Sequence, residues 1–567
     1  MPKLPIFQKG QRASINFLEK NKSYQDSQLI IFFGGIIFVF VVLIVRLFQL
    51  TIVKGSYYQR LAETNRIRET VIEPERGSII DRKGFVLAKN IPADINKSGE
   101  RLTSGRLYFS PEAISQIVGY RQLADNNDIS GDLCLNKLKN GDKTGKKGVE
   151  KTYDCELRGK PGKKLIEVDA RGKYLNTISI LSPQKGQTIQ LAIDLELQKK
   201  AYDLLNSELH SLGKDFAKLN NIKASIIGLK PRTGEVIILV SSPAYNPQDF
   251  ENNTSNIEKY FLDEDKPMFN RATEGIYPPG SVFKPIIAAA ALEENKITSK
   301  TIVEDHGFIK DGSQSFGNWY YLQYGKTEGQ VNIVKAIQRS NDIFFYKTGG
   351  LLGPDLIKIW AEKFGLGKKT NIDIDESEGM IPSSFWKEEM LKDRWYLGDT
   401  YNLSIGQGYL QVTPLQIAQT ISVFANDGYY CKPQLLKNKK PDCDKLPISD
   451  KNLQLIQEGL KQACQTGGTG WPLFEFKVRS EELKISQVKE ASESAKIPTK
   501  KIEVACKTGT AESHSLSGLP HAWFTAYAPS INPELILTVM IEEVGQGSDL
   551  AAPIAREIFK KYFERSE

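Results

Sequence analysis

An apolar run near the amino terminus constrains this chain more than any other feature. Residues 29–45 read Leu-Ile-Ile-Phe-Phe-Gly-Gly-Ile-Ile-Phe-Val-Phe-Val-Val-Leu-Ile-Val, and the run continues past Arg46 to Leu50. That length is enough to cross a bilayer as a helix. A cleaved signal peptide has a shorter apolar core, of about 7 to 15 residues, and a small-residue cleavage site, which the sequence after Leu50 does not supply. We therefore predict an uncleaved membrane anchor and not a buried core helix.

The charges around this run leave its orientation open. Lysine and arginine residues flank it on both sides in nearly equal numbers, so the positive-inside rule favours neither direction. A short tail inside and a long domain outside is the simpler arrangement, because long domains are translocated largely regardless of charge. We adopt that topology, with residues 1–27 as a cytoplasmic tail and residues 28–50 as the transmembrane anchor helix.

The whole chain is long and carries a small excess of positive charge. With 567 residues it exceeds the roughly 100 to 200 residues of one domain, so two or more folded units are expected. Its 75 basic and 68 acidic residues leave a net charge of +7 without a dense stripe of arginine or lysine. Nucleic acid is therefore not a predicted partner.

The cysteines follow no metal-binding pattern. They are Cys134, Cys155, Cys431, Cys443, Cys464 and Cys506, and they lack the CxxC spacing of a zinc site, so we predict no metal. Disulfides joining Cys134 to Cys155 and Cys431 to Cys443 would each close a short loop, which suits an oxidising exterior. Free thiols are the open alternative.

Composition divides the part after the anchor into two regions. Residues 51–185 begin with a polar helical segment and two short strands, then become rich in Gly, Lys and Asp and weakly periodic. We expect a loop-bearing, non-catalytic domain there. An alternating strand begins at Gly186, and we place the start of a second domain, residues 186–567, at that point.

The second domain follows the order strands, helices, strands. Its predicted strands are 186–194, 224–229, 235–240, 501–506, 522–528 and 535–541. Its predicted helices are 195–212, 284–293, 332–348, 414–425 and 551–565. This order predicts an α/β fold of the α+β type, with a mostly antiparallel sheet flanked by helices. The charged, weakly patterned stretch 474–500 is expected to form an exposed insertion.

A serine and a lysine three residues apart are the first candidates for catalysis. In Tyr277-Pro-Pro-Gly-Ser-Val-Phe-Lys284 a turn leads into an apolar helix, so Ser281 lies at or next to a helix amino terminus. Positions three apart share a helix face, which brings the Lys284 amine within reach of the Ser281 hydroxyl. A lysine activates a serine only when burial or a neighbouring cation lowers its pKa, and Lys507 is the candidate cation. Alone, this spacing is weak evidence, since an N-cap serine followed by a solvated lysine is common.

Two further motifs make the pattern specific. Ser340-Asn-Asp342 opens an aromatic run, and Lys507-Thr-Gly-Thr510 ends a predicted strand. With the three motifs in this order, the chain resembles the penicillin-binding proteins and serine β-lactamases. Residues 76–84, Arg-Gly-Ser-Ile-Ile-Asp-Arg-Lys-Gly, are similar to the entry of the pedestal module of class B penicillin-binding proteins. Segments 277–280, 395–400, 404–408 and 412–416 are most similar to the elongation-type members, and the septal, division-type enzyme stays an open alternative.

The resemblance implies a role for each motif residue. Ser281 would attack the carbonyl between the two terminal D-alanines of a peptidoglycan stem peptide, Lys284 would accept its proton, and an acyl-enzyme would result. The backbone N–H groups of Ser281 and Thr510 would form the oxyanion hole. Ser340 would relay a proton towards the leaving amine, with Lys284 and Lys507 shaping its field.

The same resemblance assigns substrate binding. Lys507, Thr508, Gly509 and Thr510 would bind the substrate carboxylate, while Asp342 would either hydrogen-bond substrate or hold the helix turn. A second stem-peptide amine would attack the acyl-enzyme and complete a cross-link. No cofactor is implied. Cys506 stands where the family usually has glycine, and on an extended strand its side chain points to the face opposite Lys507.

The resemblance also implies a cellular setting. Residues 51–185 would be the pedestal, or dimerisation-type, domain and residues 186–567 the transpeptidase domain of a single-pass protein in the bacterial cytoplasmic membrane, with the catalytic domain on the extracytoplasmic side. Its ligands would be stem peptides and β-lactams. The segment before Gly186 is too short and too polar for a glycosyltransferase domain, so a separate multi-span membrane glycosyltransferase is the expected partner.

Two other classes of protein share these motifs. A β-lactamase or D,D-carboxypeptidase would use the same residues for hydrolysis, but the anchor and pedestal argue against it, and the sequence offers no convincing carboxylate for deacylation. A non-enzymatic penicillin-binding sensor or scaffold would use the fold for recognition, and the intact motifs argue against that reading. The lifetime of the acyl-enzyme and covalent labelling by penicillin distinguish the three.

Overall fold

Helices and strands are distributed along the whole of the part described by the computed structural model, which comprises residues 18–91, 104–169, 171, 173–212, 222–479, 499–513 and 517–565. The strands are β1 (Ile67–Ile72), β2 (Ile79–Ile80), β3 (Val86–Ile91), β4 (Gly105–Tyr108), β5 (Arg121–Leu123), β6 (Lys143–Gly145), β7 (Gly162–Val168), β8 (Tyr174–Leu181), β9 (Ile189–Gln190), β10 (Ala224–Leu229), β11 (Val236–Ser242), β12 (Val303–Asp305), β13 (Phe308–Asp311), β14 (Gln314–Gly317), β15 (Gly329–Val331), β16 (Tyr429–Cys431), β17 (Cys443–Lys445), β18 (Lys477–Arg479), β19 (Thr499–Lys501), β20 (Ala505–Ala511), β21 (His521–Ala528) and β22 (Leu535–Ile541). The helices are α1 (Leu18–Phe48), α2 (Gly55–Arg66), α3 (Pro111–Val118), α4 (Asn126–Gly131), α5 (Gly148–Thr152), α6 (Asp154–Arg158), α7 (Leu195–Leu205), α8 (Pro247–Asn252), α9 (Asn256–Leu262), α10 (Lys284–Glu293), α11 (Trp319–Tyr324), α12 (Ile333–Arg339), α13 (Asp342–Lys363), α14 (Ser384–Leu391), α15 (Leu397–Ser404), α16 (Pro414–Ala425), α17 (Asp450–Ala463) and α18 (Ala551–Phe563).

One of two compact units consists of the described residues up to Ile72 together with residues 161–183. Helix α1 runs into a π-helical turn at Gln49–Val53. The stretch Ser27–Val53 is strongly apolar, and none of its most apolar part is buried within the protein. In the same unit, β1, β7 and β8 form an antiparallel sheet in that order. The length and all-round apolarity of this helix fit a single-pass membrane anchor.

The second unit, residues 73–160 and 184–565, is built on a five-stranded sheet. Its strand order is β11-β10-β22-β21-β20, and every neighbouring pair is antiparallel. Side chains of β22 alternate between two apolar cores: Leu535, Leu537, Val539 and Ile541 face the core that includes α7 and α18, while Ile536 and Met540 face the core that includes α10 and α16. The predicted antiparallel sheet flanked by helices is therefore confirmed.

Three predicted elements differ from the structure because their backbone groups bond elsewhere. The predicted helix 332–348 is wrong, since Ser340 adopts a left-handed conformation, φ 55° and ψ 37°, between α12 and α13. The strand predicted at 186–194 shrinks to β9, because the N–H groups that follow donate to three separate segments, at Ile80, Leu435 and Ile237. The strand predicted at 501–506 is interrupted, and β20 begins at Ala505. Most of the predicted insertion, residues 480–498, lies outside the described residues.

All six cysteines of the sequence are paired. Disulfides join Cys134 to Cys155 and Cys431 to Cys443, the two pairs considered from the sequence, and a third joins Cys464 to Cys506. This third pair was not among the disulfides predicted from the sequence.

Candidate active site

A tight turn positions Ser281 at the floor of a cleft. Tyr277 exchanges two backbone hydrogen bonds of 2.9 Å with Val412, and the Gly280 N–H donates to the Gly406 carbonyl at 2.8 Å. Gly280 has φ +58°, and a Cβ there would lie 2.8 Å from the Thr510 carbonyl oxygen, so only glycine fits. The chain then forms the 3₁₀ turn Gly280–Phe283, which leads directly into α10. Ser281 thus precedes the α-helix by one tight turn.

The cleft around Ser281 brings the three motifs together. Its volume is about 720 Å³, and its walls include Ser281, Trp319, Ser340, Asp342, Gln407, Thr469, Trp471, Thr508, Gly509, Thr510 and Glu512. Ser281 itself is half-buried. Within the described part of the chain its hydroxyl has no hydrogen-bond partner. The Ser281 hydroxyl is therefore available to contact a ligand in the cleft.

Lys284 is fully buried and bonded to the second motif. Its Nζ donates to Asp342 Oδ1 at 2.6 Å, to the Ser340 carbonyl oxygen at 2.8 Å and to Ser340 Oγ at 3.3 Å. These three acceptors match the three N–H donors of an ammonium group. Among the described residues, Ser281 is not a hydrogen-bond partner of Lys284 in this arrangement. Catalytic hydrogen bonds often tighten only when substrate binds, so the expected proton transfer between them stays a prediction.

Ser340 lies between two lysines. Lys507 Nζ donates to Ser340 Oγ at 2.7 Å and to the Thr508 carbonyl at 2.9 Å. Together with Lys284, it therefore supplies two donors to the two lone pairs of the Ser340 hydroxyl. Among the described residues the Ser340 hydroxyl donates to no acceptor, and Ser340 itself lines the cleft.

Burial lowers the pKa values of both lysines, and the neighbouring charges modify that effect. Burial lowers the pKa of Lys284, and the Asp342 carboxylate opposes that effect. Burial lowers the pKa of Lys507 well below its ordinary value, and the positive charge of Lys284 lowers it further. The sequence left burial and a neighbouring cation open as the cause of a lowered pKa at Lys284, with Lys507 as the candidate cation. Burial is the cause, and the charge effect acts on Lys507, whose pKa lies well below its ordinary value.

The local conformation of Ser340 depends on capping by its neighbour. Ser340 ends α12, and the Asn341 side chain accepts the Phe344 N–H at 2.9 Å to cap α13. The left-handed conformation is unusual for a residue other than glycine, and such residues cluster at active sites. It allows two helices to meet at Ser340 and directs its hydroxyl to both lysines.

A buried carboxylate, Asp305, holds this turn from behind. Its Oδ2 accepts the side-chain amides of Asn318 and Asn341, each at 2.8 Å, and its Oδ1 accepts the Gly307 N–H at 2.7 Å. Asn318 in turn accepts the backbone N–H of Asp342 at 3.1 Å. The network thereby fixes the Asn341 side chain and the Asp342 backbone, within the turn that contacts Lys284, although neither Asp305 nor Asn318 was singled out from the sequence.

Replacing Asp305 by asparagine is expected to slow acylation and lower stability. The new amide would face donors where a carboxylate now accepts, and each buried group left unsatisfied costs about 1 to 3 kcal/mol. Thermal unfolding and the rate of labelling by fluorescent penicillin measure the two effects. Glu376→Gln is the control, because the Glu376 carboxylate likewise accepts several hydrogen bonds, three from Thr370 and Asn371, but lies outside the cleft lining. Wild-type labelling by Asp305→Asn would contradict the positioning role.

Asp342 is occupied within the protein. Its Oδ1 accepts from Lys284, and its Oδ2 accepts the Trp319 N–H at 2.8 Å. Of the two roles left open by the sequence, this favours holding the turn and the lysine. Its place in the cleft wall leaves its role in substrate binding a prediction.

The Lys507 motif lies on β20, the edge strand of the sheet, next to the cleft. Gln407 Nε2 donates to the Thr510 carbonyl at 3.2 Å, and the Glu512 N–H donates to Gln407 Oε1 at 3.2 Å. In an antiparallel pair, the N–H and C=O of one residue point to the same side, and alternate residues share that side. The N–H of Thr510 therefore points away from β21, towards the open edge. Thr508 shares that orientation.

Several cleft residues were not identified as site residues from the sequence. Trp319, Thr469 and Trp471 belong to no motif, and they reach the cleft only through tertiary packing. Gln407 lies in the segment 404–408, which was noted for its resemblance without a role. A wall residue with no reactive group leaves no signal in a single sequence.

The fold and the cleft, in which a serine lies beside two buried lysines, are those of a serine-type acyltransferase. Residues 224–560 match the model of the penicillin-binding protein transpeptidase domain, and residues 101–191 match that of the penicillin-binding protein dimerisation domain. The chain belongs to the penicillin-binding protein transpeptidase family. The predicted family, its fold and its function as a serine-type peptidoglycan D,D-transpeptidase are thereby confirmed.

Three similar proteins extend this comparison over most of the chain. Peptidoglycan D,D-transpeptidase MrdA of Haemophilus influenzae is 29% identical, covering 94% of this chain and 91% of the relative. The complex of penicillin-binding protein 2 (PBP2) with MreC from Helicobacter pylori has a TM-score of 0.72 and 26% identity, covering 88% of this chain and 99% of that one. A chain from the structure of a peptidoglycan synthase complex, which coordinates polymerization and crosslinking, has the same TM-score and identity. The match covers 96% of this chain and 99% of that one.

Proposed function

We propose that Ser281 forms the acyl-enzyme through which this transpeptidase cross-links peptidoglycan stem peptides. The observation that carries the proposal is the Ser340 hydroxyl, which accepts hydrogen bonds from Lys284 and Lys507 in the cleft that Ser281 lines. That arrangement supplies a nucleophile, basic amines of lowered pKa and a proton relay. These are the requirements of acyl transfer by serine.

In the acylation step, Ser281 Oγ attacks the carbonyl between the two terminal D-alanines. The new Oγ–C bond replaces the C–N bond to the last D-alanine. A neutral lysine accepts the Ser281 proton, and the Ser340 hydroxyl passes a proton to the leaving amine. Because Lys284 and Lys507 both bond Ser340, the proton lost by the serine reaches the leaving amine without water.

The oxyanion and the substrate carboxylate use the two walls next to Ser281. The N–H of Thr510 points to the open edge of β20, and the Ser281 N–H belongs to the 3₁₀ turn beside it, so both suit an oxyanion hole. The carboxylate of the terminal D-alanine is assigned to Lys507, Thr508, Gly509 and Thr510. An edge strand also offers its free backbone groups to an extended peptide.

We further propose the topology and division of the chain inferred from its sequence. Residues 1–27 are the cytoplasmic tail, 28–50 the anchor, 51–185 the pedestal and 186–567 the transpeptidase domain on the extracytoplasmic side of the bacterial cytoplasmic membrane. The exposed apolar helix supports the anchor. The three disulfides support an oxidising exterior for the rest.

An elongation-type role and a polymerase partner follow by analogy. The similar proteins include PBP2 in complex with MreC, and a synthase complex that joins polymerization to crosslinking. We propose that this chain works in cell elongation beside a multi-span membrane glycosyltransferase, which would contact the lipid-exposed face of α1.

The test is the product made from polymerised glycan. Full-length protein in detergent, supplied with a glycan strand made by a separate glycosyltransferase, is expected to release D-alanine and form cross-linked muropeptide dimers, and Ser281→Ala is expected to form none. Mass spectrometry of the digested product measures both. Release of D-alanine without dimers would indicate a carboxypeptidase. Rapid turnover of penicillin would indicate a β-lactamase, and a protein that penicillin never labels would be a scaffold. Each of these outcomes overturns the proposal.

A further inference from the structure

The disulfide between Cys464 and Cys506 lies directly behind the Lys507 motif. Cys464 ends α17, and Cys506 is the residue before Lys507 on β20. Both cysteines are buried, at 3% and 0% exposure, in the core on the opposite face of the sheet from Lys507. The bond therefore ties the edge strand to a helix at the position next to a reactive lysine.

Strand β20 needs such support because the sheet holds it on one side only. Its sole neighbour in the described sheet is β21, and its free side lines the cleft. Hydrogen bonds from other segments support that free side: Gln407 donates to the Thr510 carbonyl, and Thr508 Oγ1 donates to Thr469 Oγ1 at 2.7 Å. The second depends on where the chain segment with Thr469 lies.

That segment, residues 467–471, rests on the disulfide and is called the wall loop here. The Gly470 N–H donates to the Ala463 carbonyl at 2.8 Å. A Cβ on Gly470 would lie 2.5 Å from Cys506 Sγ and 2.8 Å from Cys464 Sγ, so a glycine backbone packs directly on both sulfur atoms. The wall loop places Thr469 and Trp471 in the cleft lining.

The wall loop also contacts the second motif. Arg339, the residue before Ser340, donates from NH1 to the Gly467 carbonyl at 2.8 Å. One end of the loop thus bonds the Ser340 turn, and its middle bonds Thr508. The disulfide fixes both relative to β20.

We propose that the Cys464–Cys506 disulfide positions the wall loop and Lys507 for acylation of Ser281. Its two cysteines are positioning residues that act through Thr469 and Lys507 without touching substrate. The proposal rests on the proposed function of the cleft. Its physical basis is the 2.7 Å bond between Lys507 Nζ and Ser340 Oγ, because a misplacement of about 1 Å can cost on the order of 100-fold in rate.

The chain supplies a matched control in its Cys431–Cys443 disulfide. That bond joins register partners of β16 and β17, and neither cysteine lines the cleft. Cys464→Ala/Cys506→Ala and Cys431→Ala/Cys443→Ala each remove one cross-link from the full-length protein. Loss of stability alone would affect both variants.

The expected result is a loss of acylation in the first variant only. Its rate of labelling by fluorescent penicillin, per folded protein, is expected to fall about 10- to 100-fold, whereas the Cys431→Ala/Cys443→Ala variant labels like wild type. The pH at half-maximal rate is expected to rise in the first variant. Water that reaches Lys507 would weaken the lowering effect of burial on its pKa, while the charges of Lys284 and Asp342 stay the same. A purely structural bond would not move this midpoint.

A second variant covers failure of the first to fold. Gly470→Ala keeps both cysteines and has an ordinary backbone φ of −90°, yet pushes the wall loop off the sulfur atoms, so slower labelling is again expected. Three results would each overturn the inference. They are labelling of Gly470→Ala at the wild-type rate, a wild-type rate and pH midpoint in Cys464→Ala/Cys506→Ala, and free Cys464 and Cys506 thiols in active protein. If wild type never labels, the proposed function fails instead.

Discussion

Replacing Ser281 by alanine is expected to abolish covalent attachment of penicillin. Alanine lacks the hydroxyl that forms the acyl bond, so no residual slow reaction is expected. The fold should be unaffected, since this half-buried hydroxyl has no hydrogen-bond partner among the described residues. A change in the free energy of unfolding within about 0.5 kcal/mol is expected for such a site. Gel fluorescence after incubation with labelled penicillin and thermal unfolding measure both quantities.

A serine of the same cleft provides the control for this result. Ser548 lines the cleft, and its hydroxyl donates to Asp549 Oδ1 at 3.1 Å. Ser548→Ala is expected to label like wild type. If Ser281→Ala were labelled stoichiometrically and Ser548→Ala were not labelled, the nucleophile would be Ser548 and the prediction would be wrong.

The sequence predicted those elements whose signals are local. The helices 284–293 and 414–425 and the strand 535–541 were predicted with the bounds they have. For the helix at 414–425 the reason is visible, because Thr413 and Gln416 form a capping box and Pro414 stands at its first position. The strand 535–541 is buried on both faces and apolar nearly throughout, so it can be recognised without knowing which positions face which side of the sheet.

Contacts between residues far apart in the chain were predicted only where the family resemblance implied them, as for Ser340 with Lys284 and Lys507. Lys284 bonds Ser340 across 56 positions, and Lys507 bonds the same hydroxyl across 167. No periodicity encodes such a pairing, and the predicted helix 332–348 missed the left-handed turn at Ser340, whose carbonyl and hydroxyl oxygens both accept from Lys284. The Cys464–Cys506 bond is hidden for the same reason, because its partners are 42 positions apart on a helix and an edge strand.

Replacing Lys284 by alanine is expected to reduce acylation by a factor of about 10² to 10⁴, the range for loss of a general base. The variant removes the donor to Ser340 and leaves the Asp342 carboxylate without its cation. Breaking a buried ion pair by removing one partner costs about 3 to 5 kcal/mol. Stability will therefore fall with activity, and a control must separate the two.

Lys387 is the matched control because it is also a buried lysine with carboxylate partners. Its Nζ lies 3.1 Å from Asp393 Oδ2 and 2.7 Å from Asp399 Oδ2, and it does not line the cleft. Lys387→Ala is expected to lose comparable stability and to label at the wild-type rate below its melting temperature. Equal loss of labelling in the two variants would show that Lys284 acts through stability alone.

The pH dependence of the remaining activity identifies the chemical role of Lys284. Burial lowers the pKa of both lysines, so each amine is neutral at a lower pH than a free lysine would be. The wild-type acylation rate is therefore expected to fall on acidification, as both amines become protonated. The charge of Lys284 lowers the pKa of Lys507, whereas Asp342 raises it. Removing Lys284 leaves the lowering effect of burial but removes the lowering effect of the Lys284 charge, so the pKa of Lys507 rises relative to wild type and the midpoint of the residual rate moves to higher pH. Penicillin-labelling rates at a series of pH values measure this midpoint, and a move to lower pH in Lys284→Ala would contradict a coupled pair of lysines.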